Sequence, residues 1–229
     1  MNIPTYRKIT SASLLLVGVM AFASVASAKT RTSTHTGTYT NSKGGSGTTN
    51  STAVRGDGSV SRQGTWTNQN GGTGTTSSNR NFDQTTGTGT VSKSTTRPDG
   101  KSATTTGTLT KNTDGSISDL ATRTGFNGKT ETIATTSTKT DTGTATAGTI
   151  TGPNGRASTI NSTTTKDADG YAKDTTITGA NGKTLERNSV TTEHSDGSYT
   201  RNIEVTKPDG TTSTRTENFT VTKDESPQG

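Results

Sequence analysis

Residues 126–143 read FNGKTETIATTSTKTDTG. Asn127-Gly128 opens the stretch and Asp141-Thr142-Gly143 closes it, with strictly alternating chemistry between them. Thr130, Thr132, Thr136 and Thr138 share one parity, and Ile133 has the other. Threonine branches at Cβ and suits a pleated strand, so a Thr-rich run with period two, bounded by turn residues, reads as a β-strand. Asn-Gly and Asp-Gly between such runs mark hairpins, whose two-residue form requires positive φ at both turn positions.

The same punctuation recurs along the chain. Pro98-Asp99-Gly100, Phe126-Asn127-Gly128, Pro153-Asn154-Gly155, Ala180-Asn181-Gly182 and Pro208-Asp209-Gly210 place their glycines 28, 27, 27 and 28 residues apart by subtraction. A second series interleaves with it: Thr113-Asp114-Gly115, Asp141-Thr142-Gly143, Ala168-Asp169-Gly170 and Ser195-Asp196-Gly197. Fixed self-similarity of this kind means a repeat architecture. The expectation is an all-β fold: a repetitive antiparallel hairpin meander with a 27–28-residue double-strand repeat. Parallel β-solenoid coils and a partly disordered chain are the alternatives. Gly100, Gly115, Gly128, Gly155, Gly170, Gly182, Gly197 and Gly210 are the expected structural turns, and Gly148, inside a strand, is expected to tolerate substitution better than they do.

The organisation along the chain follows. Residues 1–28 carry Arg7 and Lys8, an apolar run from Leu14 to Ala23, and Ala26-Ser27-Ala28 before Lys29, the pattern of a secretory signal peptide. The apolar run is too short to span a membrane, which takes roughly 20 residues, and no later stretch is apolar enough. A secreted protein, extracellular or periplasmic, is expected. Residues 29–96 read as Gly/Thr/Ser-rich irregular repeats, with 70–90 too loose to assign strands. Residues 97–223 form the regular array, and 224–229 read as a disordered tail.

Composition limits both core and chemistry. From Lys29 onward 57 of 201 residues are Thr, while Leu, Ile, Val and Phe together number 18. That apolar share is less than half of the ~20% below which disorder becomes the default. Order must therefore come from regular backbone pairing and side-chain ladders. Removing residues 1–28 leaves 22 basic and 18 acidic residues, a surplus too diffuse to argue for nucleic acid. With Cys 0, neither disulfides nor thiolate metal sites exist.

Alternate residues sort into two faces. The expected binding face carries Thr104, Thr106, Thr108, Thr130, Thr132, Thr136, Thr163, Thr212, Thr214 and Thr216. Leu109, Leu120, Ile133, Ile150, Ile160, Ile177, Leu185, Ile203 and Phe219 are assigned to the opposite, structural face. In a meander the two turn series lie on opposite margins, which gathers Lys101, Lys129, Arg156 and Lys183 on one, diluted by Asp99 and Asp209, and Asp114, Asp141, Asp169 and Asp196 on the other.

No catalytic constellation is expected. His35 and His194 are the two histidines and stand far apart, with no triad spacing. Asp167-Ala168-Asp169-Gly170 opens like a calcium loop but lacks the later ligands. Arg55-Gly56-Asp57 spells an integrin tripeptide in a chain rich in Gly and Asp, and Trp66 stands alone. The resulting expectation is a secreted, non-enzymatic structural or adhesive repeat protein without cofactor or metal. Its partners would be polysaccharide, a cell surface or another copy of itself, with no nucleic acid and no membrane span. Ice binding through the Thr face is the alternative.

Overall fold

A computed structural model describes residues 30–56 and 58–225. The signal peptide expected over 1–28, Asp57 of the Arg-Gly-Asp tripeptide and residues 226–229 lie outside the described residues. The described chain is fourteen strands: β1 (Arg31–Asn41), β2 (Ser46–Gly56), β3 (Ser59–Asn68), β4 (Thr73–Asp83), β5 (Thr88–Thr96), β6 (Ser102–Lys111), β7 (Ile117–Thr124), β8 (Thr130–Lys139), β9 (Gly143–Thr151), β10 (Ala157–Lys166), β11 (Gly170–Thr178), β12 (Thr184–Glu193), β13 (Ser198–Thr206) and β14 (Thr212–Glu225). Each pairs antiparallel with its sequence neighbours, and β1 pairs with β14 from Arg31↔Glu225 to Asn41↔Arg215. The meander thus closes into a barrel.

Closure replaces the solenoid alternative, because all the ladders are antiparallel and an end strand with a free edge finds its partner in the other end strand. The stretch 70–90 is also ordered as strand, contrary to expectation: β4 and the start of β5 occupy it. Its Ser and Asn side chains offered no apolar alternation to read, yet both ladders beside β4 run without a break.

Seven of the nine turns in the two series have one construction. At Gly125–Lys129 the Gly128 N–H donates to the Gly125 carbonyl at 2.9 Å, and the Gly125 N–H to the Lys129 carbonyl at 2.8 Å. The same pair of bonds closes Arg97–Lys101, Asn112–Ser116, Gly152–Arg156, Gly179–Lys183, His194–Ser198 and Lys207–Thr211. These are three-residue loops in which glycine alone takes positive φ, 73° at Gly128. This corrects the two-residue expectation at those turns. Thr140–Gly143 and Asp167–Gly170 do close two-residue loops, the Thr140 N–H donating to the Gly143 carbonyl at 3.0 Å and the Asp167 N–H to the Gly170 carbonyl at 3.2 Å. The Asp or Asn before the glycine contributes through its side chain. Its Oδ1 accepts the N–H two residues on, as in Asn127 with Lys129 (3.1 Å) and Asp196 with Ser198 (2.9 Å). The hydroxyl and N–H of the following serine hold the Asp114 and Asp196 carboxyls below the usual carboxylate range.

Alternation sets the two faces of the wall. Leu109 (1% exposed), Ile133 (2%) and Ile160 face inward, as do Phe82 and Ile117, which cluster with Leu109. Ile133 lies directly across from Ile150. Leu120 departs from the expected assignment: it pairs with Thr108 and Ala134 on the outside and is 57% exposed, while Ala121 takes the place opposite Ile133. The count across the Phe126-Asn127 turn shifted by one because that loop holds three residues. Ile133→Ala should therefore cost about 2 to 3 kcal/mol in urea unfolding, and Leu120→Ala less than about 0.5 kcal/mol; equal costs would mean the two faces are reversed.

Glycine is the second packing device of the inner face. Gly89 lies directly between Phe82 and Leu109, and a Cβ there would come within 2.9 Å of the Phe82 ring. Trp66 covers Gly74 and Tyr39 covers Gly47 in the same way. Large side chains are rare in this sequence, and each is given room by a neighbour that has none.

Candidate functional sites on the two faces of the wall

The expected binding threonines all stand on the outer face, but they do not form one patch. Thr104 and Thr106 on β6 join Thr130 and Thr132 on β8 through two consecutive rungs, Thr104–Thr124–Thr130 and Thr106–Thr122–Thr132. Thr151 on β9 and Ser92 on β5 extend the second rung on either side. Thr108 adjoins the exposed Leu120, Thr136 lies across from Ser118, and Thr163 lies two strands beyond β8. Thr212, Thr214 and Thr216 on β14 are four strands round the barrel from β10. Strand geometry spaces the hydroxyls ~4.8 Å across strands and roughly 6.8 Å along them.

Neighbouring outer side chains bond to one another. Thr96 and Ser102 approach to 2.8 Å, Thr200 donates to Asn218 at 3.0 Å, and Thr216 to Asn202 at 3.0 Å. Over β2–β5 the outer wall holds a shallow depression of about 470 Å³, lined by Asn50, Thr52, Gln63, Thr65, Thr75, Ser77 and Ser94 among others. Its lining is hydroxyl and carboxamide, without charge.

The cations explain that neutrality. By register, every Lys and Arg within the described strands falls on the inner parity. Arg62, Arg80, Lys93, Arg123, Lys173, Arg187, Arg201 and Arg215 are buried or half-buried there. Long charged side chains normally populate the solvent face, so this arrangement inverts the usual one. Three inner carboxylates offset part of it. Arg123 Nε meets Glu131 at 2.8 Å, and Glu217 takes Arg215 at 2.8 Å and Arg201 at 3.4 Å. Asp119, raised by burial, is partly held down by Arg80. Arg215 also lies 4.0 Å from the Tyr39 ring centre, and Arg201 donates to the Tyr171 hydroxyl at 2.6 Å.

The walls approach each other across the interior. Arg62 on β3 feels the charges of Arg201 on β13 and Tyr171 on β11, strands four and six places away round the barrel. His35, stacked on Phe219, is pushed below its ordinary range by burial and then by Arg62, Arg201 and Arg55. Burial, then Arg187, brings the Lys173 ammonium down to about 8.

The two turn series do lie at opposite ends. Lys43, Arg97, Lys101, Lys129, Arg156, Lys183 and Lys207 mark one end, with Arg97 stacked 3.7 Å from the Phe126 ring centre. Asp114, Asp141, Asp167, Asp169 and Asp196 mark the other, although Asp99 and Asp209 share the first end and Lys111, Lys139 and Lys166 close their strands at the second.

The remaining candidates stay separate. His194 bonds Thr200 at 2.8 Å on the surface, far from His35 in sequence and on a different strand margin. Asp167 accepts the Asp169 N–H at 3.2 Å as an ordinary turn contact, and Gly170 closes that turn as the first residue of β11. Among the described residues no group of three or more His, Asp or Glu is gathered, and no helix is long and apolar enough to cross a membrane. No protein-family model matches the chain, and no curated protein matches it.

Proposed function

We propose that this is a secreted, non-enzymatic barrel protein whose threonine-coated outer wall adheres to polysaccharide at a cell surface or in an extracellular matrix. The reading rests on one observation: the strand-borne cations are turned inward, which leaves the outer face of β5–β10 a regular lattice of hydroxyls without charge, the outer carboxylates Asp174, Glu186, Glu204 and Asp224 lying on β11–β14. Such a lattice offers donors and acceptors at strand spacing to the hydroxyls of a neutral glycan, and the carboxamide-lined depression over β2–β5 adds a concave seat for one. The exposed Leu120 between Thr108 and Ala134 supplies an apolar contact for a sugar face.

The test is the variant Thr104→Lys, Thr106→Lys, Thr130→Lys, Thr132→Lys, assayed by co-sedimentation with insoluble neutral polysaccharides. Adsorption should fall at least about tenfold, since two rungs lose their continuous hydroxyl rows, while the circular dichroism spectrum stays that of β-sheet. Undiminished adsorption would remove the outer Thr lattice as the adhesive surface. The regular hydroxyl spacing also favours ice as a second ligand, and ice shaping by the same pair of proteins separates the two readings.

A further inference from the structure

The inner face raises a question that the outer one does not: why half-buried cations face one another. Arg62, Lys93 and Arg123 lie on a single rung, on β3, β5 and β7, with Ser78 and Thr105 between them. The rung places successive cations about 10 Å apart at the backbone, two strand spacings. Arg123 is satisfied by Glu131. Arg62 and Lys93 have no carboxylate beside them among the described residues. Their charged neighbours are other cations, Arg55 and Arg201 for Arg62 and Arg123 and Arg62 for Lys93, with the Tyr171 phenol as the smallest and only favourable influence on Arg62. Burial already penalises both charges, and like-charged neighbours add to the penalty. A site in that condition is complementary to an anion.

What stands beside the pair narrows the anion. On β3 the inner face reads Arg62, Gly64, Trp66. Between the guanidinium and the indole Gly64 adds no side chain, and its cross-strand neighbours Ser51 and Thr76 lean over it, their Cβ and Cγ2 atoms 2.9 and 3.3 Å from where a Cβ would stand, so that two hydroxyl-bearing side chains occupy that stretch of wall. A planar cation, a pair of hydroxyl-bearing side chains and an aromatic ring form the set that would take a carboxylate, ring hydroxyls and the apolar face of a pyranose respectively. A bare phosphate or sulfate would use the cations and leave the rest idle.

We infer that the barrel interior is a binding site for an acidic sugar, with Arg62 and Lys93 holding the carboxylate and Trp66 lying against the ring. The site differs from the outer lattice in both location and ligand charge, so either can fail without the other.

The experiment uses the full mature chain and the emission of Trp66, the sole tryptophan. Trigalacturonate should change that emission saturably, and raise Tm in parallel. Uncharged maltotriose should do neither. Arg62→Gln with Lys93→Gln should weaken trigalacturonate at least tenfold and, in the absence of sugar, raise Tm, because two repelling buried charges are gone. A purely structural role would lower Tm instead. Arg62→Lys, which keeps the charge and loses the fork, should give an intermediate loss and covers the case in which the double variant misfolds. Undiminished binding by the variants, no response to trigalacturonate, or an equal response to sulfate at matched charge would overturn the assignment.

Discussion

Gly148→Val should unfold the barrel more effectively than a change at any glycine of the three-residue loops, lowering stability by roughly 3 to 5 kcal/mol. Gly148 sits mid-strand on β9, across from Thr135 on β8 and Ile160 on β10. A Cβ there would press on the carbonyl oxygen of Ala134 and lie 2.6 Å from the Thr135 Cα. Both are backbone atoms of a paired strand, so relief requires the strand to move and the ladder to open. Gly128, by contrast, has φ 73° with nothing within 4 Å of the position a Cβ would take. Its replacement by alanine meets only the left-handed backbone preference, about 1 kcal/mol. Urea unfolding followed by circular dichroism decides the order. A Gly148→Val midpoint at the wild-type value would show that the two strands are not packed as described.

Lys173→Met should act in the opposite direction and stabilise the barrel by on the order of 3 kcal/mol at pH 7, the equivalent of the drop from 10.5 to about 8. Lys173 is 8% exposed on the inner face of β11. Burial, and then the Arg187 charge, disfavour its ammonium in the folded state. The unfolded chain keeps that proton to about pH 10.5, whereas the folded chain releases it near 8. Below pH 8 both states are protonated and the full penalty stands. Between 8 and 10.5 the unfolded state binds more protons, so stability rises with pH. Denaturant midpoints from pH 7 to 10 should climb for the wild type, and Lys173→Met should lose the part of that climb due to this residue. A destabilised variant with an unchanged slope would remove Lys173 as the titrating group.

The turn schedule was legible because Asn-Gly and Asp-Gly act locally: the carboxyl or carboxamide bonds the next turn residue but one, and the glycine supplies the single positive φ. The length of the loop was not, and that one extra residue sent Leu120 to the wrong face. Barrel closure was illegible for a different reason. It depends on strand number and accumulated twist, and no residue in β1 announces β14. The segment with β4 was missed because Ser77, Ser78, Asn79 and Asn81 carry no apolar contrast, although their backbone pairs as well as any.

The inward cations could have been found. Arg62 shares parity with Val60, Lys93 with Val91, Arg187 with Leu185 and Arg201 with Ile203. Sorting by apolar residues alone hid this, since charge is ordinarily assigned to the solvent face. The paired glycines were hidden likewise: Gly89 gains its meaning from Phe82 and Leu109 on other strands, and sequence spacing does not expose that triplet.

The seam between β1 and β14 governs how the chain must fold. Thirteen ladders join neighbouring strands across short loops and can zip hairpin by hairpin. The fourteenth joins residues separated by 174 positions at Asn41–Arg215 and by 194 at Arg31–Glu225, by subtraction of the paired numbers. Non-local pairing of this kind is slow because chain entropy is lost before contacts form. Until it closes, the nascent sheet is an open ribbon with two unpaired edges of matching register. A second ribbon satisfies those edges as well as the ribbon's own far end does. Closure of the seam is therefore in competition with edge-to-edge joining of open ribbons, and truncation of β14, which removes the partner of β1, should shift the chain towards the joined form in size-exclusion chromatography.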